Sequence, residues 1–173
     1  MNILGGFDIE DIVLGMSATF SKTITEADIV LFASVWGDNN AIHINAEFAE
    51  STPFKGRIAY GMLTESVISA AVANKLPGPG AIYMKQSINF RAPVKPGDIV
   101  QATVTVKQIL VDKKRVVLET ICRVKGVIVI DGEALVKVGS SVETALREAA
   151  VAIKKGRVDL TRTSSPLFLK AMP

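Results

Sequence analysis

Residues 61–76 limit what this chain can fold into more than any other stretch. Small and apolar residues occur nearly all round a helical wheel there, and Asn74 and Lys75 come only near its end. A helix without a broad wet face must be surrounded by the rest of its domain. Pro77-Gly78-Pro79-Gly80 then stops it. Beyond that stop the hydrophobic period changes. Val100, Ala102, Val104 and Val106 alternate with Gln101, Thr103, Thr105 and Lys107, as in a strand with one buried and one wet face. Residues 81–92, 98–110, 114–125 and 127–138 read as strands, with Pro96-Gly97-Asp98, Asp112-Lys113 and Gly126 as turns. One buried helix against an antiparallel meander predicts an α+β architecture.

The first third of the chain supplies a strand over 12–24 and a helix after it. Thr25 is the expected N-cap, with Glu26 and Asp28 where the helix dipole favours acids. Ile29, Phe32, Ala33 and Trp36 fall on one helical face, and Gly37 is a natural stop. Asn45 can cap a short helix through Glu50, ended by Thr52-Pro53. After Val138, Ser140 or Ser141 can cap a helix reaching about Lys155, with Val142, Ala145, Leu146, Ala149 and Ile153 on one face. Residues 157–173 read as a polar stretch closing on an apolar Pro166-Leu-Phe-Leu arm. The expected division is a main domain over 1–138 and an extension over 139–173.

At 173 residues, 49% hydrophobic and 21% charged, the chain has enough apolar material for one real core. Its net charge of +3 is scattered, with no run of like charges, so nucleic acid is not the expected partner. A mild positive field suits a phosphate-bearing substrate and suits an ordinary solvated surface equally well. One cysteine, Cys122, excludes an intramolecular disulfide and a cysteine-based zinc site, and its place mid-strand makes it a small core residue. Asp8, Glu10 and Asp11 interrupt any signal-peptide pattern, and no apolar run is long enough to span a bilayer. A reducing cytoplasm and no membrane partner are expected.

Two segments can carry chemistry. Gly37-Asp38-Asn39-Asn40-Ala41-Ile42-His43 holds the single histidine of the chain close to an acid, just past a helix end. Aspartate after a helix stop is also ordinary loop chemistry, and a lone histidine is often structural. Arg57-Ile58-Ala59-Tyr60-Gly61-Met62-Leu63 leads into the buried helix. A glycine at a helix N-terminus leaves an unhindered N–H that can hold an oxygen gaining negative charge. It can equally serve close backbone packing.

Taken together, five stretches resemble one family. They are Asp38-x-Asn40-x-x-His43, the 57–63 segment, Pro77-Gly78-x-Gly80-x-Ile82-Tyr83, Gln86-Ser87-Ile88-x-Phe90, and Pro93-Val94-x-x-Gly97-Asp98. In order and spacing, over about residues 7–138, they are similar to the MaoC-like dehydratases, and most of all to the monofunctional (R)-specific enoyl-CoA hydratases of fatty acid metabolism. The resemblance implies a hot-dog fold, an antiparallel sheet around a long helix, in a homodimer with the acyl pocket near the interface. It implies Asp38 and His43 as the catalytic pair, Gly61 as the oxyanion glycine and Ser69 as a supporting serine. It implies trans-2-enoyl-CoA as substrate, with no cofactor and no metal. Three features depart from the pattern. Ala41 stands for a frequent proline, Tyr60 for a frequent histidine, and residues 139–173 run past the usual end.

Water adding to Cβ of an enoyl thioester leaves negative charge on the thioester oxygen. The chain must activate the water, hold that oxygen and protonate Cα. Asp38 is the expected base and His43 the orienter and proton carrier, though the sequence leaves that division open. Three alternatives share the fold: a thioesterase, a dehydratase acting on an acyl carrier protein, and a non-enzymatic acyl-CoA-binding subunit.

Overall fold

The structure is a computed structural model that describes residue 2 and residues 4–154. The expectations for Lys155 and for residues 157–173 lie outside the described residues. The described chain falls into two units that divide after Gly139.

In the first unit, the elements are β1 (Ser17–Thr23), α1 (Glu26–Trp36), α2 (Ala41–Ile44), α3 (Ala46–Ser51), α4 (Gly61–Asn74), β2 (Ile82–Phe90), β3 (Ile99–Leu110), β4 (Arg115–Val124) and β5 (Val127–Lys137). The first strand begins later than residue 12. Gly15 takes a positive φ of 79°, and Met16 N–H donates to Val13 O at 3.2 Å, so residues 13–16 form a turn that delays pairing.

Among the described residues the strands form one antiparallel sheet in the order β1-β3-β4-β5-β2. The meander is therefore β3-β4-β5. Strand β2 is not its first member, because it crosses to the far edge and pairs with β5. The period-two pattern of β3 holds to Val106, and Val100, Ala102, Val104 and Val106 are all buried. A register shift between Val106 and Gln108 then ends the strict alternation.

Helix α4 packs against β1, β3 and β4. Leu63, Thr64, Val67, Ile68, Ala71 and Val72 are buried along one face, while Glu65, Ser66, Ser69 and Ala70 on the other side are only half-buried, so burial is one-sided where composition predicted it on most sides. Each large aliphatic side chain so buried is worth about 1.5–3 kcal/mol relative to exposure. Cys122 on β4 is fully buried, and burial pushes its thiol up to about 12, as befits a core residue.

In the second unit, α5 (Ser141–Lys154) starts where Glu143 N–H donates to the Ser140 hydroxyl at 3.2 Å. Among the described residues no helix is long and apolar enough to cross a membrane.

Candidate active site

Helix α1 is fixed at both ends. Thr25 accepts from Asp28 N–H at 3.1 Å, and the Asp28 carboxylate accepts from Thr25 N–H at 2.8 Å, a reciprocal capping box. At the other end Gly37 turns left-handed, φ 78° and ψ 5°, and its N–H reaches Ala33 O at 2.9 Å. That turn releases Asp38 from the helix into an exposed loop. The Asp38 carboxylate accepts from Asn40 N–H at 3.0 Å, and the Asn40 side chain in turn caps α2 through Ile42 N–H at 3.3 Å.

The one-turn helix α2 carries His43. Spacing in the sequence does not announce it, because four residues give no periodic signal. His43 Nδ1 lies 2.8 Å from Ile58 O. A carbonyl only accepts, so Nδ1 carries a proton, and Nε2 is the ring nitrogen left to face other groups. Extended residues 58–60 are held in turn by Ala59 N–H donating to Val94 O at 2.7 Å.

Gly61 is the first residue of α4. Its N–H is one of the helix's first four, which have no intrahelical acceptor and lie at the positive end of the dipole. Phe90, at the end of β2, closes over it: a Cβ built on Gly61 would lie 2.6 Å from Phe90 Cε1.

Asp38, His43 and Gly61 share the walls of one cavity of about 500 Å³. Its other walls are mainly apolar, including Phe32, Trp36, Phe54 and Phe90, with Arg91 among them. Arg91 is held by a two-pronged pair with Asp131, at 2.6 and 3.1 Å. Ser69 is placed differently. It lies two turns along α4 from Gly61, about 12 Å by helical rise, half-buried and away from the cavity wall.

Trp36 and Tyr60 carry more than spacing assigns them. Trp36 falls on the core face of α1 by periodicity, yet it is 57% exposed and lines the cavity. Tyr60 stands out in the sequence only as a substitute for histidine. In the structure it is buried, its hydroxyl donates to Asp38 O at 2.6 Å, and its ring lies 3.9 Å from that of His43. Burial, and then the charge of Asp38, hold its phenol above the ordinary value, so it stays a donor.

An antiparallel sheet packed on one long helix, with a cavity at that helix's N-terminus, is a hot-dog fold. The chain belongs to the MaoC-like family, whose family model, described as MaoC like domain, matches residues 13–132. It is 53% identical to the (R)-specific enoyl-CoA hydratase of Rhodospirillum rubrum over 75% of this chain and 90% of that one. It is 46% identical to the 3-hydroxybutyryl-CoA dehydratase of Methylorubrum extorquens, over 75% of this chain and 82% of that one. Among solved structures, the unliganded R-hydratase PhaJ1 of Pseudomonas aeruginosa superposes with a TM-score of 0.75 at 40% identity, covering 79% of this chain and 88% of that one.

Proposed function

We propose that this protein is an (R)-specific enoyl-CoA hydratase, a hydro-lyase that reversibly adds water to trans-2-enoyl-CoA to give (R)-3-hydroxyacyl-CoA. The observation that carries the reading is the meeting of Asp38, His43 and the Gly61 helix terminus on one apolar-walled cavity. The 53% identity to an (R)-specific enoyl-CoA hydratase supports it.

In this reading a water sits between the Asp38 carboxylate and Nε2 of His43. Asp38 takes its proton as the oxygen bonds to Cβ, a contribution of roughly 10²–10⁴-fold for a well-placed base. The electron pair of the Cα–Cβ bond moves towards the thioester carbonyl, and Gly61 N–H holds the oxygen that gains charge. One such donor is typically worth about 10²–10³-fold. His43 orients the water through Nε2; the proton taken by Asp38 then passes to Nε2 of His43, which delivers it to Cα, so both side chains end in their starting states. Net, one water is added, and the thioester bond stays intact. Ser69 supports the site from α4 without reaching the water. Residues 1–138 carry the chemistry, and residues 139–173 are an extension to that domain.

The protein works as a homodimer. Among the described residues strand β2 is a sheet edge with no strand on its outer side, and its Ile82 and Met84 are exposed. A second copy pairing there would cover both. Light scattering at micromolar concentration should give twice the chain mass or a multiple of it, and a monomer would contradict this. The buried, unreactive Cys122 suits a reducing cytoplasm.

The test is an assay on crotonyl-CoA that follows enoyl absorbance and free thiol together. Loss of absorbance without thiol release is expected. Thiol release would make the protein a thioesterase, and no turnover at high enzyme concentration would make it a binding subunit.

A further inference from the structure

Tyr60 touches both members of the candidate pair. Its hydroxyl donates to the backbone carbonyl of Asp38 at 2.6 Å. Its ring packs against the His43 imidazole with centroids 3.9 Å apart and planes 35° from parallel. Phe32 backs the tyrosine ring at 5.2 Å, and Trp36 stacks on Phe32 at 5.2 Å and 17°. Tyr60 is only 3% exposed, so these contacts are part of the packed interior.

The pair needs such a hold. Asp38 is exposed, on a loop whose other ties among the described residues are short-range: Gly37 to Ala33, and Asn40 N–H to Asp38's own carboxylate. The tyrosine hydroxyl links that loop to the segment entering α4. For His43, the bond from Nδ1 to Ile58 O sets one direction in the ring plane, and the Tyr60 face sets the plane itself. The two together aim Nε2. The next residue in the chain is Gly61. Residues 58–61 therefore reference the aspartate, the histidine and the helix N–H to a single stretch of backbone.

We propose that Tyr60 is a positioning residue for the hydration step, placing Asp38 through its hydroxyl and His43 through its ring. The inference rests on the hydratase reading above. It also gives a physical role to the departure at this position: where a histidine is frequent, a tyrosine has the reach to bond the Asp38 carbonyl. A base must lie within hydrogen-bond reach of the proton it removes, and a misplacement of about 1 Å can cost about 10²-fold in rate.

Tyr60→Phe removes the hydroxyl and keeps the ring. Its kcat should fall by about 10- to 100-fold, with KM changed less than about twofold, because the loss is of placement and not of substrate contact. The emission of Trp36, the single tryptophan of the chain, should stay unchanged and report an intact ring column. The decisive comparison adds Tyr60→Phe to Asp38→Asn. If the hydroxyl acts through Asp38, the double variant should match Asp38→Asn within about twofold, whereas a general weakening of the fold would multiply the two losses. Should Tyr60→Phe not fold, Tyr60→His, whose shorter side chain keeps a flat ring but lacks the reach to the Asp38 carbonyl, takes its place in the same comparison. Multiplying losses, or a Tyr60→Phe kcat within about twofold of wild type, overturns the proposal alone, provided wild type hydrates crotonyl-CoA. No turnover by wild type overturns the hydratase reading and this proposal together.

Discussion

The ring of Phe90 occupies the space that a side chain on Gly61 would need, with Cε1 2.6 Å and Cζ 2.9 Å from a Cβ built there. These atoms are the far end of a half-exposed side chain, 55% exposed, so the ring can swing away where a backbone could not. Gly61→Ala is therefore expected to fold with a Tm close to wild type. It should still lose at least about 10-fold in kcat/KM, because both the new methyl and the displaced ring enter the cavity beside the N–H. Adding Phe90→Ala should recover part of the loss. Thermal unfolding and steady-state kinetics on the three variants check this, and an unaffected Gly61→Ala would remove the glycine from the site.

Phe90 also bears on substrate length. Of Ile82, Met84, Ile88 and Phe90, which sequence alternation sets on one side of β2, only Phe90 lines the cavity. The register shift between Tyr83 and Lys85 puts Ile82 out of phase with Ile88 and Phe90, and Ile88, in phase with Phe90, packs against the core instead. A cavity of about 500 Å³ with a phenyl ring in its wall favours short and medium acyl chains. The preference should be graded, since one methylene contact is worth about 1–3 kcal/mol. Four-, six-, eight- and twelve-carbon enoyl-CoAs should show kcat/KM falling towards the longest, and Phe90→Ala should move the optimum upward. A twelve-carbon optimum in wild type would contradict the short pocket.

The capping box of α1 makes a prediction about stability and pH. Hydrogen bonds from Thr25 N–H and hydroxyl, and then Lys22, hold the Asp28 carboxyl below its ordinary range. A folded pKa below the unfolded one stabilises the protein above the unfolded value, and that gain is lost as pH falls through the folded value. Asp28→Asn should thus unfold at lower temperature than wild type near neutrality, with the gap closing in acid. Thr25→Ala should cost about 1 kcal/mol. Melting curves across pH test both, and a gap that widened in acid would contradict the sign.

Much of this was legible from residues alone. The alternation of Val100 to Val106, the existence of the largely apolar helix α4 and the caps at Thr25, Gly37 and Asn45 are local signals, and local physics decides them. The far-edge placement of β2 is a non-local pairing, which no period encodes. Asp38, His43 and Gly61 were legible as chemistry-bearing residue types in suggestive places, but their shared cavity depends on the extended run 58–60 and on Val94 holding Ala59. The Tyr60 hydroxyl bond spans α2 and α3, and tyrosine before a glycine carries no signature of such a contact.

The hydratase mechanism stands on Asp38 and His43 directing water to Cβ of an enoyl thioester. Turnover of crotonyl-CoA in ¹⁸O-labelled water by wild type, Asp38→Asn and His43→Gln, with the site of label and the configuration of the product both read, tests this in one measurement. One labelled oxygen is expected on the C3 hydroxyl of an (R) product, with kcat lower by at least about 10²-fold in each variant at similar KM. Label in a free carboxylate, a mainly (S) product, or a folded variant turning over near the wild-type rate would contradict it.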